Sequence, residues 1–141
     1  METKTTQIRN VIFWALVVIF AALVAHPGLG SRWEYKRLLL VVIAVVFFAL
    51  AIALLVLTVK LKEPLIRRIF FLLTGASAAA IPVCVILHNL VYGLLILLFG
   101  KEFWGKGGDE PVFFILAIIV CPVLFIIGML GSIVTLISGN F

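Results

Sequence analysis

His88 and Asn89 stand side by side inside Ile69–Phe99, a run of 31 residues without one charged side chain. A polar group in a lipid span is costly and normally faces the protein interior or a water-filled cavity. An imidazole there has four roles open to it: ligation of a metal or haem, relay of a proton, part of a ligand pocket, or a structural hydrogen bond across helices. Its neighbours narrow the choice. At 100° per residue, Thr74, Ser77, Cys84, His88 and Tyr92 fall within an arc of about 80°, with Asn89 and Pro82 on one flank. One face of this helix is therefore small or polar, and the rest is large and apolar.

The last apolar run offers a matching face. Cys121-Pro122 lies near its middle, followed by Gly128, Gly131, Ser132 and Thr135. Gly128/Ser132 and Gly131/Thr135 are small-xxx-small pairs, which permit close helix approach. His88 precedes Phe99 by 11 residues and Cys121 follows Pro111 by 10. At 1.5 Å per residue, both are predicted roughly 15–16 Å from the same end of an antiparallel pair, near the bilayer midplane. Any functional centre is accordingly expected at His88, with Asn89, Cys84, Ser77 and Tyr92, facing Cys121. Structural hydrogen bonding is the favoured role for His88 and Asn89, and simple packing for the two cysteines, because free Cys behaves as a small hydrophobe. A bis-histidine haem site is excluded within one chain. The other histidine, His26, lies at the mouth of the first loop, roughly half a membrane away by the same rise. No metal and no cofactor is expected.

Other chemistry is scarce. There is no Ser-His-Asp set, no His-Glu-x-x-His and no Cys-x-x-Cys. Gly100 to Gly107 nearly matches a phosphate-binding loop, but Gly107 stands where magnesium binding needs Ser or Thr, and no strand precedes it. Glu102, Asp109 and Glu110 read as a solvated loop ending in a helix start. Asp109-Glu110-Pro111 puts acids at the positive dipole end and proline in the first turn.

The elements that must position these groups follow from composition. The 141 residues are 65% hydrophobic and 12% charged, with mean hydropathy +1.37. Soluble domains are about 45–50% apolar and about 25% charged, and a soluble chain this short has too little interior for so much apolar surface. Four apolar runs stand out: Val11–Ala25, Leu38–Val59, Ile69–Phe99 and Val112–Ile137. A spanning helix needs about 20 apolar residues. The runs are continuous and lack the period-two alternation of a barrel. The fold class is therefore all-α, a polytopic transmembrane four-helix bundle in a single domain over 1–141, with helices near 8–27, 36–59, 70–99 and 111–137. The third run, about 46 Å long as a helix, exceeds the hydrocarbon core, so it is expected to tilt or to lay its first turns at the interface. The first run lacks a small-x-small cleavage signature and is read as a retained helix.

His26-Pro27-Gly28 is a helix stop, Ser31-Arg32-Trp33-Glu34 a capping box, and Trp33 and Tyr35 are interfacial aromatics. Lys60, Lys62, Arg67 and Arg68 cluster in the second loop, which favours both termini on the cytoplasmic side. The basic balance of +5 sits at helix ends as anchors and does not indicate nucleic acid. Small four-helix multidrug carriers are similar in length and span count, but the intramembrane glutamate of that kind is missing, and their function is not carried over. The expected function is that of a non-enzymatic accessory or scaffold subunit in the lipid bilayer, associating with itself as an oligomer or with a larger membrane partner. A small transporter or channel with a polar site at His88/Asn89 is the alternative, and a membrane redox or metal-binding subunit the third reading.

Overall fold

The computed structural model describes residues 2–25, 33–105 and 108–139. The helix stop at His26, the capping box at Ser31–Glu34 and the aromatic side chains of Trp33 and Tyr35 fall outside that description. Helix α1 runs Glu2–Ala25, α2 Trp33–Lys60 and α3 Leu65–Phe99. The fourth span is composite: α4 (Pro111–Ile115), a π-helical turn (Leu116–Val120) and α5 (Cys121–Ser138). There are no strands among the described residues, and all four spans are long and apolar enough to cross a membrane. The fold is the all-α four-helix bundle expected. Helix α1 starts six residues earlier than expected, and α3 runs unbroken from Leu65 through Pro82.

Each span buries one narrow stripe. On α1 it is Arg9, Phe13 and Leu16, continued by the half-buried Phe20, and on α2 it is Phe47, Ala51, Leu54 and Thr58. Spacings of three and four keep each set on one helical face. Phe13 meets Phe71 of α3 edge-on at 5.2 Å between centroids, and Phe20 lies 4.4 Å from Phe125 of α5. Most remaining large side chains point outward, as they should where lipid tails replace water. Since burial from lipid brings no hydrophobic gain, close packing has to hold the helices together.

Helix α3 is the hub. On one side a Cβ at Gly75 would fall 2.9 Å from Leu55 of α2, so the missing side chain is what lets α2 approach. On the other side Gly128 of α5 lies against Thr74, where a Cβ would sit 2.7 Å from the backbone nitrogen. Ser77, Ala78 and Cys84 of α3, and Cys121, Ser132 and Thr135 of α5, complete a buried seam of small residues. Hydroxyls in this seam mostly return their protons to their own helix. Thr74 Oγ1 donates to the Phe70 carbonyl at 2.9 Å, Ser77 Oγ to that of Leu73 at 2.7 Å, and Thr135 Oγ1 to that of Ser132 at 2.9 Å.

Pro122 has no N–H to give to the preceding turn. The chain answers with the wide turn just before it, in which the Cys121 N–H donates to the Leu116 carbonyl five residues back.

Candidate functional site: two ionic clusters at opposite ends of the bundle

Helix α3 overshoots the start of the fourth span. Glu110, the residue before that span, lies beside His88 rather than beside Phe99. Asn89 to Phe99, about 16 Å of helix at 1.5 Å per residue, therefore project past the point where the fourth span begins. The third loop doubles back along this projection, with Phe103 stacked on Phe99 at 5.2 Å and Trp104 on Tyr92 at 5.9 Å. Equal depth for His88 and Cys121, estimated by counting from Phe99 and Pro111, is thereby corrected. The two ends are out of register by about two to three helical turns, and α3 carries that surplus length past the start of the fourth span at its C-terminal end.

His88 consequently has acids for neighbours. Its Nδ1 lies 3.1 Å from the Glu110 carbonyl oxygen and 3.3 Å from Glu110 Oε2, and its Nε2 lies 3.6 Å from Asp109 Oδ1. Both ring nitrogens face oxygen atoms of the Asp109-Glu110 pair. Phe114 packs against the ring at 5.6 Å. Glu110 is buried and caps the fourth span: its carboxylate accepts from the N–H groups of Val112 at 2.8 Å and Phe113 at 2.9 Å, and Pro111 follows in the first turn. The helix start read from Asp109-Glu110-Pro111 is thus formed through the Glu110 side chain. Burial pushes that carboxyl upward, but the Val112 and Phe113 N–H groups and the His88 ring outweigh it and hold Glu110 below the ordinary carboxylate range.

The other residues singled out from the sequence separate into groups. Cys84 and Cys121 are free, buried and packed together with Ala117, one turn and more below His88. Ser77 is buried deeper in the seam, with its hydroxyl bonded within α3. Tyr92 lies on the projection against Trp104. Asn89 is exposed, and its amide donates to the Val85 carbonyl of its own helix at 2.8 Å. The structure therefore joins Cys84 to Cys121 and His88 to Asp109 and Glu110, and leaves Asn89 on the outer surface. Gly128, Ser132 and Thr135 are buried in the seam, with Gly131 half-buried over Phe70.

A second cluster, at the opposite end, was not legible as a site. Arg9 of α1 is fully buried. It pairs with Glu63 of the second loop, donates through Nε and Nη2 to Asn10 Oδ1, and lies 4.0 Å from the centroid of the Phe71 ring. Arg67 lies 3.9 Å from the same carboxylate and donates to the Thr135 carbonyl at 2.9 Å, tying α3 to the end of α5. A sequence signal for it does exist: Arg9, Phe13, Leu16 and Phe20 share one helical face, so a cation occupies a core position.

No group of three or more metal-ligating side chains occurs among the described residues. Comparisons with protein-family models, with curated proteins and with solved structures each gave no match. What the fold and composition define is an integral membrane protein, a small four-helix bundle with ionic clusters at its two ends.

Proposed function

We propose that this chain is a non-enzymatic accessory or scaffold subunit that works by helix packing, with copies of itself or with a larger membrane partner. The observation that carries this reading is the apolar interior. Phe13, Leu16, Phe47, Leu54, Phe71 and Phe125 close the middle of the bundle, and the charged groups of both clusters lie at its ends. A cavity of about 640 Å³ in the bundle is itself lined by apolar side chains such as Phe20, Phe47, Ile81 and Pro122; an apolar centre supports joining and anchoring, whereas a conduit needs polar lining. The projecting turns of α3 supply a surface to join with: Leu97 is 81% exposed, and Leu90, Leu94, Leu98 and Phe99 are exposed beside it. Both termini are assigned to the cytoplasm on the basic second loop.

The test is native mass measurement after mild detergent extraction. An oligomer, or a complex with a co-purifying membrane protein, is expected. A stable 15.5 kDa monomer that shows flux in liposomes refutes the reading. One observation favours the transporter alternative: His88 stands between two carboxylates, and such groups can load and release protons. His88→Gln separates the two, since an amide hydrogen-bonds but does not titrate near neutral pH. A scaffold tolerates it with association intact, and a proton-coupled carrier becomes folded and inactive.

A further inference from the structure

At the α1 end of the bundle a cavity of about 430 Å³ opens between three elements. Thr6 and Gln7 of α1, Lys62, Glu63 and Pro64 of the second loop, and Arg67 of α3 line it. We propose that this cavity binds a single phosphate-bearing anion, with Lys62 and Arg67 as its cationic contacts and the polar side chains of Thr6 and Gln7 completing the wall.

Charge is the first argument. Glu63 is the one acid of the lining, and Arg9 pairs with it from behind. Lys62 and Arg67 are then in excess, with Lys60 and Arg68 close by in sequence. The second argument is the placement of that excess. Helix α3 begins here with no side-chain cap on Pro64 and no acid in its first turn, and carries Arg67 and Arg68 instead. Cations at the positive end of a helix dipole are unfavourable. An anion in the cavity offsets both the helix terminus and the Arg67 side chain. Third, Arg67 lines the cavity while its Nη2 donates to the Thr135 carbonyl, which fixes the guanidinium in place. The cluster of Lys60, Lys62, Arg67 and Arg68 also closes one end of the apolar spans, the depth at which lipid phosphates lie. Basic pockets between transmembrane helices at that depth take phosphorylated or anionic headgroups. The chemistry shared by a headgroup and free phosphate is a tetrahedral anion with several acceptor oxygens, suited to an ammonium and a guanidinium acting together. This inference stands apart from the scaffold reading, because it concerns the opposite end of the molecule from the α3 projection.

The full chain in mild detergent is titrated with phosphatidylglycerol, with phosphatidylcholine and with inorganic phosphate, and bound copies are counted by native mass spectrometry. One saturable copy of phosphatidylglycerol per chain is expected, and none of phosphatidylcholine. Lys62 is exposed, so Lys62→Gln leaves the fold intact, and it should weaken binding roughly five- to tenfold, the effect of removing one interfacial cation. Lys60→Gln removes the same charge from outside the cavity and should change binding less than about twofold by screening at the surface. Displacement of the lipid by inorganic phosphate assigns the site to the free anion, and persistence of the lipid assigns it to the headgroup; both outcomes support a phosphate site. Equal losses in the Lys62 and Lys60 variants, equal binding of the two lipids, or no saturable binding of either phosphate source overturns it.

Discussion

Replacing Gly128 by alanine tests the seam that holds α3 to the fourth span. The added methyl would lie 2.7 Å from the Thr74 backbone nitrogen, 2.7 Å from its Oγ1 and 3.1 Å from its Cα. Only the hydroxyl can rotate away. To reach ordinary contact, α5 must back off α3 by several tenths of an ångström, and Ser132, Thr135 and Phe125 move with it. Overpacking of this kind costs about 1–3 kcal/mol, and contact with backbone puts Gly128 in the upper half of that range. Exchange of glycine for alanine inside a helix returns up to about 1 kcal/mol. The net expectation is a loss of about 1–2 kcal/mol, roughly a five- to thirtyfold shift in the folding equilibrium. Reversible unfolding in mixed detergent micelles reads this directly. Gly93→Ala is the control: a Cβ there meets nothing within 4 Å, so the variant should be neutral or stabilised. Thr74→Ala should rescue Gly128→Ala only in part, because the backbone nitrogen stays. A Gly128→Ala protein as stable as the parent would refute close approach at this point, and with it the packing of α5 on α3.

Glu63→Gln strands the buried Arg9 guanidinium without a counter-ion; loss of one partner of a buried pair costs about 3–5 kcal/mol, and since Glu63 keeps 10% side-chain exposure, about 3 kcal/mol is expected in the same unfolding assay. Ser132→Ala removes a buried hydroxyl that has no hydrogen-bond partner, so stability should hold or rise slightly, and a marked loss would show that the hydroxyl is engaged. Acidification tests Glu110, whose folded carboxyl titrates below the ordinary value of about 4.5. A lowered folded pKa contributes stability above the unfolded value and loses it as pH falls through the folded one. Facing groups are His88 of α3 and Asp109 of the third loop. Unfolding midpoints should therefore drop below about pH 4.5, and Glu110→Gln should flatten that drop; an unchanged acid limb in the variant would contradict the assignment.

The two clusters show how far local sequence carries. Four spans are legible because a bilayer demands about 20 apolar residues per crossing and backbone satisfied within helices, and the runs meet both conditions with no tertiary information. The polar stripe from Thr74 to Tyr92 is legible because helical periodicity is local. The start of the fourth span is legible because Glu110 bonds N–H groups two and three residues away. Register between helices is not local. Counting from helix ends put His88 level with Cys121, but the third loop folds back along α3 through the Tyr92–Trp104 and Phe99–Phe103 stacks. That return slides the fourth span along α3 until Glu110 reaches His88.

The same distinction applies to Arg9 and Glu63, which are separated by 54 positions. Their residue types and the helical face of Arg9 can be read from the chain, but their meeting depends on how α1 packs across α2 and α3. Sequence alone determined the class of protein, its spans and the small-residue faces of the third and fourth spans, because those follow from solvent and periodicity. Tertiary structure decided the partners of its charged side chains, because the slide of one helix along another is set by side-chain packing and loop length, which no short window of residues contains.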